Sequence, residues 1–262
     1  MWTRKQLKEN AKAVLTKYYW TGFAISLVIS LFAGTSGASG SSTLVQVANA
    51  FAQEMNENNI SPDELIDAIN DHPEIISLLI ATILIVCLID LFIWVVATAL
   101  NIFLFNPLKV GKNAYYIRQR EDCGKFGNLG IAFMKGKYKG TIKTIFLRDL
   151  YLWLWSLLFV IPGIIKSYSY WMVPYITAAN PNLSASRAFE ISKKTMNGDK
   201  WHTFVLQLSF IGWDLLALLT FGVGYYFLAP YKETTYAELY ATLKQKAITS
   251  GIATEEELAI AA

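Results

Sequence analysis

Apolar runs approaching the width of a bilayer are the strongest constraint on what this chain can become. A spanning helix needs about 20 mostly apolar residues, because the hydrocarbon core is ~30 Å thick and each helical residue rises 1.5 Å. Runs of this kind occupy Tyr18 to Ala33, Ile75 to Phe105 and the long block Ile145 to Ala179, followed by Phe204 to Thr220 and the shorter Gly222 to Ala229. Hydrophobic residues make up 54% of the 262 and charged residues only 16%, against roughly 25% charged in ordinary soluble domains. The expected fold class is therefore all-α: a polytopic membrane protein with about six transmembrane helices. The 145–179 block is read as two passes that turn near Pro162-Gly163.

The distribution of charge orients such a chain. Residues 34–74 hold no Lys or Arg and seven Asp or Glu, whereas residues 1–17 hold five Lys or Arg, residues 106–143 nine, and residues 180–203 four. By the positive-inside rule the basic segments lie in the cytoplasm, so an even number of crossings separates each from the next and both termini lie inside. The resulting plan is a single membrane domain over 1–262. It has a cytoplasmic amphipathic helix at 1–17, an acidic extracytoplasmic helical loop at 34–74, basic cytoplasmic loops at 106–143 and 180–203, and a cytoplasmic tail at 241–262. In the first segment Leu7, Ala11, Val14, Leu15 and Tyr18 share one helical face, which marks an interfacial helix leading into an anchor rather than a cleaved signal.

Three prolines punctuate the inward-going helices: Pro107, Pro174 and Pro230. With Trp155-Ser-Leu-Leu before Pro162-Gly163 and Trp213-Asp-Leu-Leu before Phe221-Gly222, they suggest three helical hairpins of similar design, each leaving the bilayer at its proline. Ser61-Pro62-Asp63-Glu64 predicts a capped helix start in the outer loop, and Ser184 caps another inside, stopped by Asn197-Gly198. Lys166 and Tyr225 are expected to be reachable from outside the cell.

Ionisable residues within spans are costly, roughly 2.5 to 3.5 kcal/mol each at a helix centre, and are candidate functional groups. Asp90, Lys166 and Asp214 are the candidates for a buried polar path or an ion pair, with Lys166 and Asp214 at similar depth. Arg148, Lys193, Lys194 and Lys200 are candidate contacts for anionic lipid head groups, each worth ~1 kcal/mol near the surface. Cys87, Cys123, His72 and His202 form no metal-ligand or disulfide pattern, and no metal or cofactor is expected. Global charge gives no support for nucleic-acid binding. No zincin, nucleophile-elbow, P-loop or dinucleotide pattern is present, so the chain is read as a non-enzyme.

The segments PheLeuArgAspLeuTyr at 146–151, LeuTrpSerLeuLeuPheValIleProGly at 154–163, MetValProTyrIle at 172–176, AsnProAsnLeuSer at 180–184 and GlyAspLysTrp at 198–201 together resemble a bacterial family of uncharacterised integral membrane proteins, domain of unknown function nine hundred and seventy-five. Asp214 departs from that family's pattern, which has an uncharged residue there. The arrangement is similar, more distantly, to the membrane domain fused to some bacterial glycerophosphodiester phosphodiesterases. The resemblance implies the bacterial inner membrane and carries no activity. The function expected is a lipid- or protein-binding scaffold or accessory protein of the cell envelope. Its expected partners are anionic lipids and another envelope protein or a second copy. The alternative is a small transporter or lipid-handling channel using Asp90, Lys166 and Asp214.

Overall fold

The computed structural model describes residues 2–14, 19, 20, 23, 49, 53, 73–120, 124–134 and 136–260. The first predicted span, the linker and the capped start at Ser61 fall almost wholly outside these residues. All regular structure among the described residues is helical. In chain order it comprises α1 (residues 4–14), α2 (Pro73–Leu100), a π-helical turn (Asn101–Phe105), α3 (Asn106–Gln119) and a 3₁₀ segment (Phe126–Phe133). It continues with α4 (Tyr138–Leu158), α5 (Val160–Ser169), α6 (Val173–Ala179), α7 (Ala185–Thr195), α8 (Lys200–Leu208), α9 (Ile211–Leu219) and α10 (Val223–Thr249). The chain divides into two compact units, Met1–Phe32 with Ile102–Ala262, and Ala33–Asn101.

In the second unit α2 carries almost no polar side chain, and from Ile80 onward its described residues lie exposed or half-exposed, with Leu88 65%, Phe92 69% and Trp94 65% accessible. Among the residues of α2 whose burial is described, none is buried. Among the described residues two helical stretches are long and apolar enough to cross a membrane, Ile83–Gln119 and Lys200–Leu219. These two do not confirm the expected six, of which the first lies almost wholly outside the described residues.

The first unit has a packed body and two protruding hairpins. Buried against one another in the body are Leu7 of α1, Val110 and Ala114 of α3, Ile176 of α6, Ile191 of α7, Leu239 and Leu243 of α10, and Leu258 of the tail. Of the apolar face read in the first segment, Leu7 and Ala11 are buried in the protein, and α1 docks beside α8 and α10: Trp2 Nε1 donates to Asp199 Oδ1 at 3.1 Å and Asn10 Nδ2 to Glu238 Oε2 at 3.5 Å. The described residues of 106–143, read as a loop, form α3, the 3₁₀ segment and the start of α4, and Tyr115 and Tyr116 there are fully buried. A Cβ on Gly111 would lie 2.1 Å from the Leu129 carbonyl oxygen, so α3 and the 3₁₀ segment approach backbone to backbone.

Local signals explain several boundaries. Ser184 caps α7, its hydroxyl accepting from the Arg187 N–H at 3.4 Å, and Gly198 takes φ +91° beyond the helix end. Pro174 opens α6, where a missing N–H costs no helical bond, whereas Pro107 lies just after the π-helical turn inside the continuous helical stretch Ile83–Gln119. Pro230 does not end a helix. It sits inside the 27-residue α10, which runs on because its second half is core; buried packing there outweighs one lost backbone bond.

Candidate membrane-facing site

Both hairpins carry bare apolar ends. In the first, α4 turns at the extended Phe159 into α5, and Leu157, Phe159, Val160 and Ile161 are 67–72% accessible. In the second, α9 turns at Thr220 to Gly222 into α10, with Leu219 77% and Phe221 wholly accessible. Gly222 takes φ +84° and Phe221 φ +53°, the left-handed pair that lets the chain reverse in so few residues.

The two ends use one closing device. A Cβ on Gly163 would stand 2.7 Å from Ser156 Oγ, and one on Gly224 2.7 Å from the Ala217 Cα. Each glycine lies seven residues after the small residue it faces, so the limbs touch just behind the turn. This supports the internal likeness of the hairpins, but in a register that differs from the Trp155/Trp213 alignment.

Polar groups gather at the roots. Asp214 of α9 and Lys232 of α10 form an ion pair, with Lys232 Nζ 2.9 and 3.0 Å from the two carboxylate oxygens. The expected Lys166–Asp214 pair is therefore not made: Lys166 points its Nζ over the Trp155 ring at 4.5 Å, across its own hairpin. Tyr168 donates to Gln207 Oε1 at 2.7 Å and ties the first hairpin to α8 one turn before Phe210. There Lys8 Nζ lies 4.3 Å over the Phe210 ring and donates to the Ser209 carbonyl at 3.5 Å. Burial first, then the positive charges of Arg4 and Lys12, hold the Lys8 pKa below its ordinary value.

At the root of α4, Arg148 lies 3.5 Å from Asp149, which accepts from Asn106 Nδ2 at 3.1 Å. Arg148 Nε is buried with no protein partner. Lys193 sits 5.5 Å from the Tyr170 ring centre, Lys194 pairs with Glu190 at 2.7 Å, and Lys200 opens α8. Asp90 lies on α2 in the other unit. Sequence reasoning missed Lys232, although Asp214 and Lys232 stand at comparable distances on either side of the Phe221-Gly222 turn, a signal that was available.

Between α1 and the second hairpin lies a groove of about 550 Å³, walled by Leu216, Ala217, Phe227 and Leu228, with Lys12 and Tyr19 also lining it. Tyr19 donates to the Phe227 carbonyl at 3.2 Å. Apolar walls with a cation in the lining suit an acyl chain attached to an anionic head group. Among the described residues no group of three or more His, Cys, Asp or Glu gathers as a metal site would require.

Residues 126–247 match the family described as "Protein of unknown function (DUF975)", a stretch that contains both hairpins and their charged roots. No curated protein and no solved structure matches the chain.

Proposed function

We propose that this chain, whose residues 126–247 carry the DUF975 domain, is a non-enzymatic membrane protein of the bacterial inner membrane that binds anionic lipid and serves as a scaffold or accessory subunit for another envelope protein or a second copy. The observation that carries this reading is the contrast between bare apolar surface on α2 and the hairpin ends and a body whose charges are matched, as in Arg120–Glu238 at 2.7 Å and Arg187–Glu257 at 2.7 Å. Apolar side chains left exposed at this density mark a membrane or partner-protein contact. The charge asymmetry supports a body and both termini on the cytoplasmic side.

The transport alternative has less support. Of its three candidate groups, Asp214 is neutralised by Lys232 and Lys166 rests on Trp155, so the two face different partners instead of a shared path.

Native mass spectrometry of the protein extracted gently from its own membrane tests the reading. Retained anionic phospholipid, alone or with a stoichiometric protein, is the expected result. A retained small solute with no lipid and no protein would overturn the scaffold reading in favour of transport.

A further inference from the structure

The two hairpins are too short to cross a bilayer. Residues 150–165 lie between Asp149 and Lys166, residues 215–231 lie between Asp214 and Lys232, and neither stretch contains a charge. Each is folded back on itself, so the longer limb reaches only about 15 Å past its charged root and the shorter about 10 Å. Half of a ~30 Å hydrocarbon core is about 15 Å.

Lengthening the limbs does not help. Toward its start α4 carries Lys139, Lys143 and Arg148, and beyond Lys232 α10 carries Glu233, Glu238 and Lys246. The α8–α9 stretch Lys200–Leu219 is apolar enough by composition. Its neighbour, however, is the charged half of α10: Asp199, just before α8, binds Lys246 at 2.5 Å, while Asp214 binds Lys232. Sending α8 through hydrocarbon would take those charges with it.

The turns are built for a place without water. Inside lipid every backbone polar group needs an internal partner. In the first turn the Phe159 N–H donates to the Trp155 carbonyl at 3.3 Å, and the Phe159 carbonyl accepts from the Gly163 N–H at 3.2 Å. Pro162 supplies no N–H in the opening turn of α5, where donors would otherwise be orphaned. In the second turn the Thr220 hydroxyl donates to the Ala217 carbonyl at 2.7 Å and accepts from the Gly224 N–H at 2.7 Å. At the roots, Lys8, Arg148 and Lys166 match the charge of anionic head groups.

We infer that the hairpins α4–α5 and α9–α10 are re-entrant wedges that occupy a single leaflet, with their tips near the bilayer midplane and their charged roots among anionic head groups. This rests on the membrane reading proposed above. It replaces four of the six crossings with two half-insertions and keeps both termini on one side, and it leaves Lys166 and Tyr225 shielded from outside.

Depth-dependent quenching tests it. In full-length protein with Cys87→Ser and Cys123→Ser, single cysteines are placed at the exposed Leu158 and Leu219 and, as a root reference, at Tyr168. Each is labelled with an environment-sensitive fluorophore and reconstituted into vesicles of neutral and anionic phospholipid. The vesicles carry nitroxide at the head group or near the acyl-chain end. Re-entrant wedges give at least twofold stronger quenching of Leu158→Cys and Leu219→Cys by the deep nitroxide than by the head-group nitroxide, with the reverse order for Tyr168→Cys. Stronger head-group quenching at the tips overturns the wedges, since the tips would then lie at an interface. No quenching at any site by either lipid overturns the membrane reading itself, and the wedges with it.

Discussion

Asp214 and Lys232 face each other across the second hairpin at 2.9 Å, about a quarter exposed, where the apolar end meets the charged body. Lys232 also lies 5.8 Å from the Phe210 ring that Lys8 covers on its own account.

Removing one partner strands the other in a poorly solvated place. Lys232→Leu or Asp214→Leu alone should destabilise the folded protein by about 1–3 kcal/mol, while the double Leu variant should return to within about 1 kcal/mol of the parent. A thermal double-mutant cycle in detergent reads this coupling. Additive single effects would mean that the pair contributes nothing.

The limbs of both hairpins close on glycine. Gly224→Leu places side-chain atoms where the Ala217 Cα already stands 2.7 Å from an ideal Cβ, and Gly163→Leu does the same against Ser156. Each should cost about 1–3 kcal/mol through forced separation of the limbs. Gly127→Ala, with open space around it, should stay within about 0.5 kcal/mol. Melting curves of the three variants give the comparison.

The tail is held to α7 by charge. Arg187 donates to Glu257 from Nε at 2.7 Å and from Nη2 at 3.0 Å, and to the Ile252 carbonyl at 3.0 Å. Hydrogen bonds from Arg187, then the Thr254 N–H, pull the Glu257 carboxyl from 4.5 down to about 2. A carboxyl lowered in the folded state stabilises fully above its unfolded value, so this contribution is whole above about pH 4.5 and fades as pH falls toward 2. Glu257→Gln should lower Tm by roughly 2–4 °C at pH 7 and by progressively less below pH 4.5. A Tm difference that stayed constant from pH 7 to 2.5 would contradict this assignment.

Cys87 is exposed on α2 amid apolar neighbours. With Cys123→Ser in place, a charged maleimide should leave it unlabelled in membranes, and after denaturation in sodium dodecyl sulfate it should label fully. Mass shift of the intact protein measures both states. Rapid labelling in intact membranes would place this part of α2 in water.

The all-helical class, the apolar end of each hairpin and the caps at Ser184 and Gly198 were legible in the sequence, because hydrophobic periodicity and local backbone chemistry are written within a few residues. So was the place of Arg148 at the start of an apolar limb, whereas Lys166, read as lying on the outer side just past the turn, rests against Trp155 of its own hairpin. Tertiary structure decided what those signals lead to. Tyr115 and Tyr116 sit in a segment that reads as a basic loop, yet they are core, since the helix that carries them packs against the 3₁₀ segment, α6 and α10. Pro230 looks like an exit but is carried through by the packing of α10. The partner of Asp214 could not be chosen by hydropathy, which measures how apolar a stretch is and not which limb lies beside it. The sequence by itself determined which stretches are apolar; the tertiary structure decided which charges stand beside them, as Lys246 does beside Asp199 and Lys232 beside Asp214, because such pairs join residues far apart in the chain.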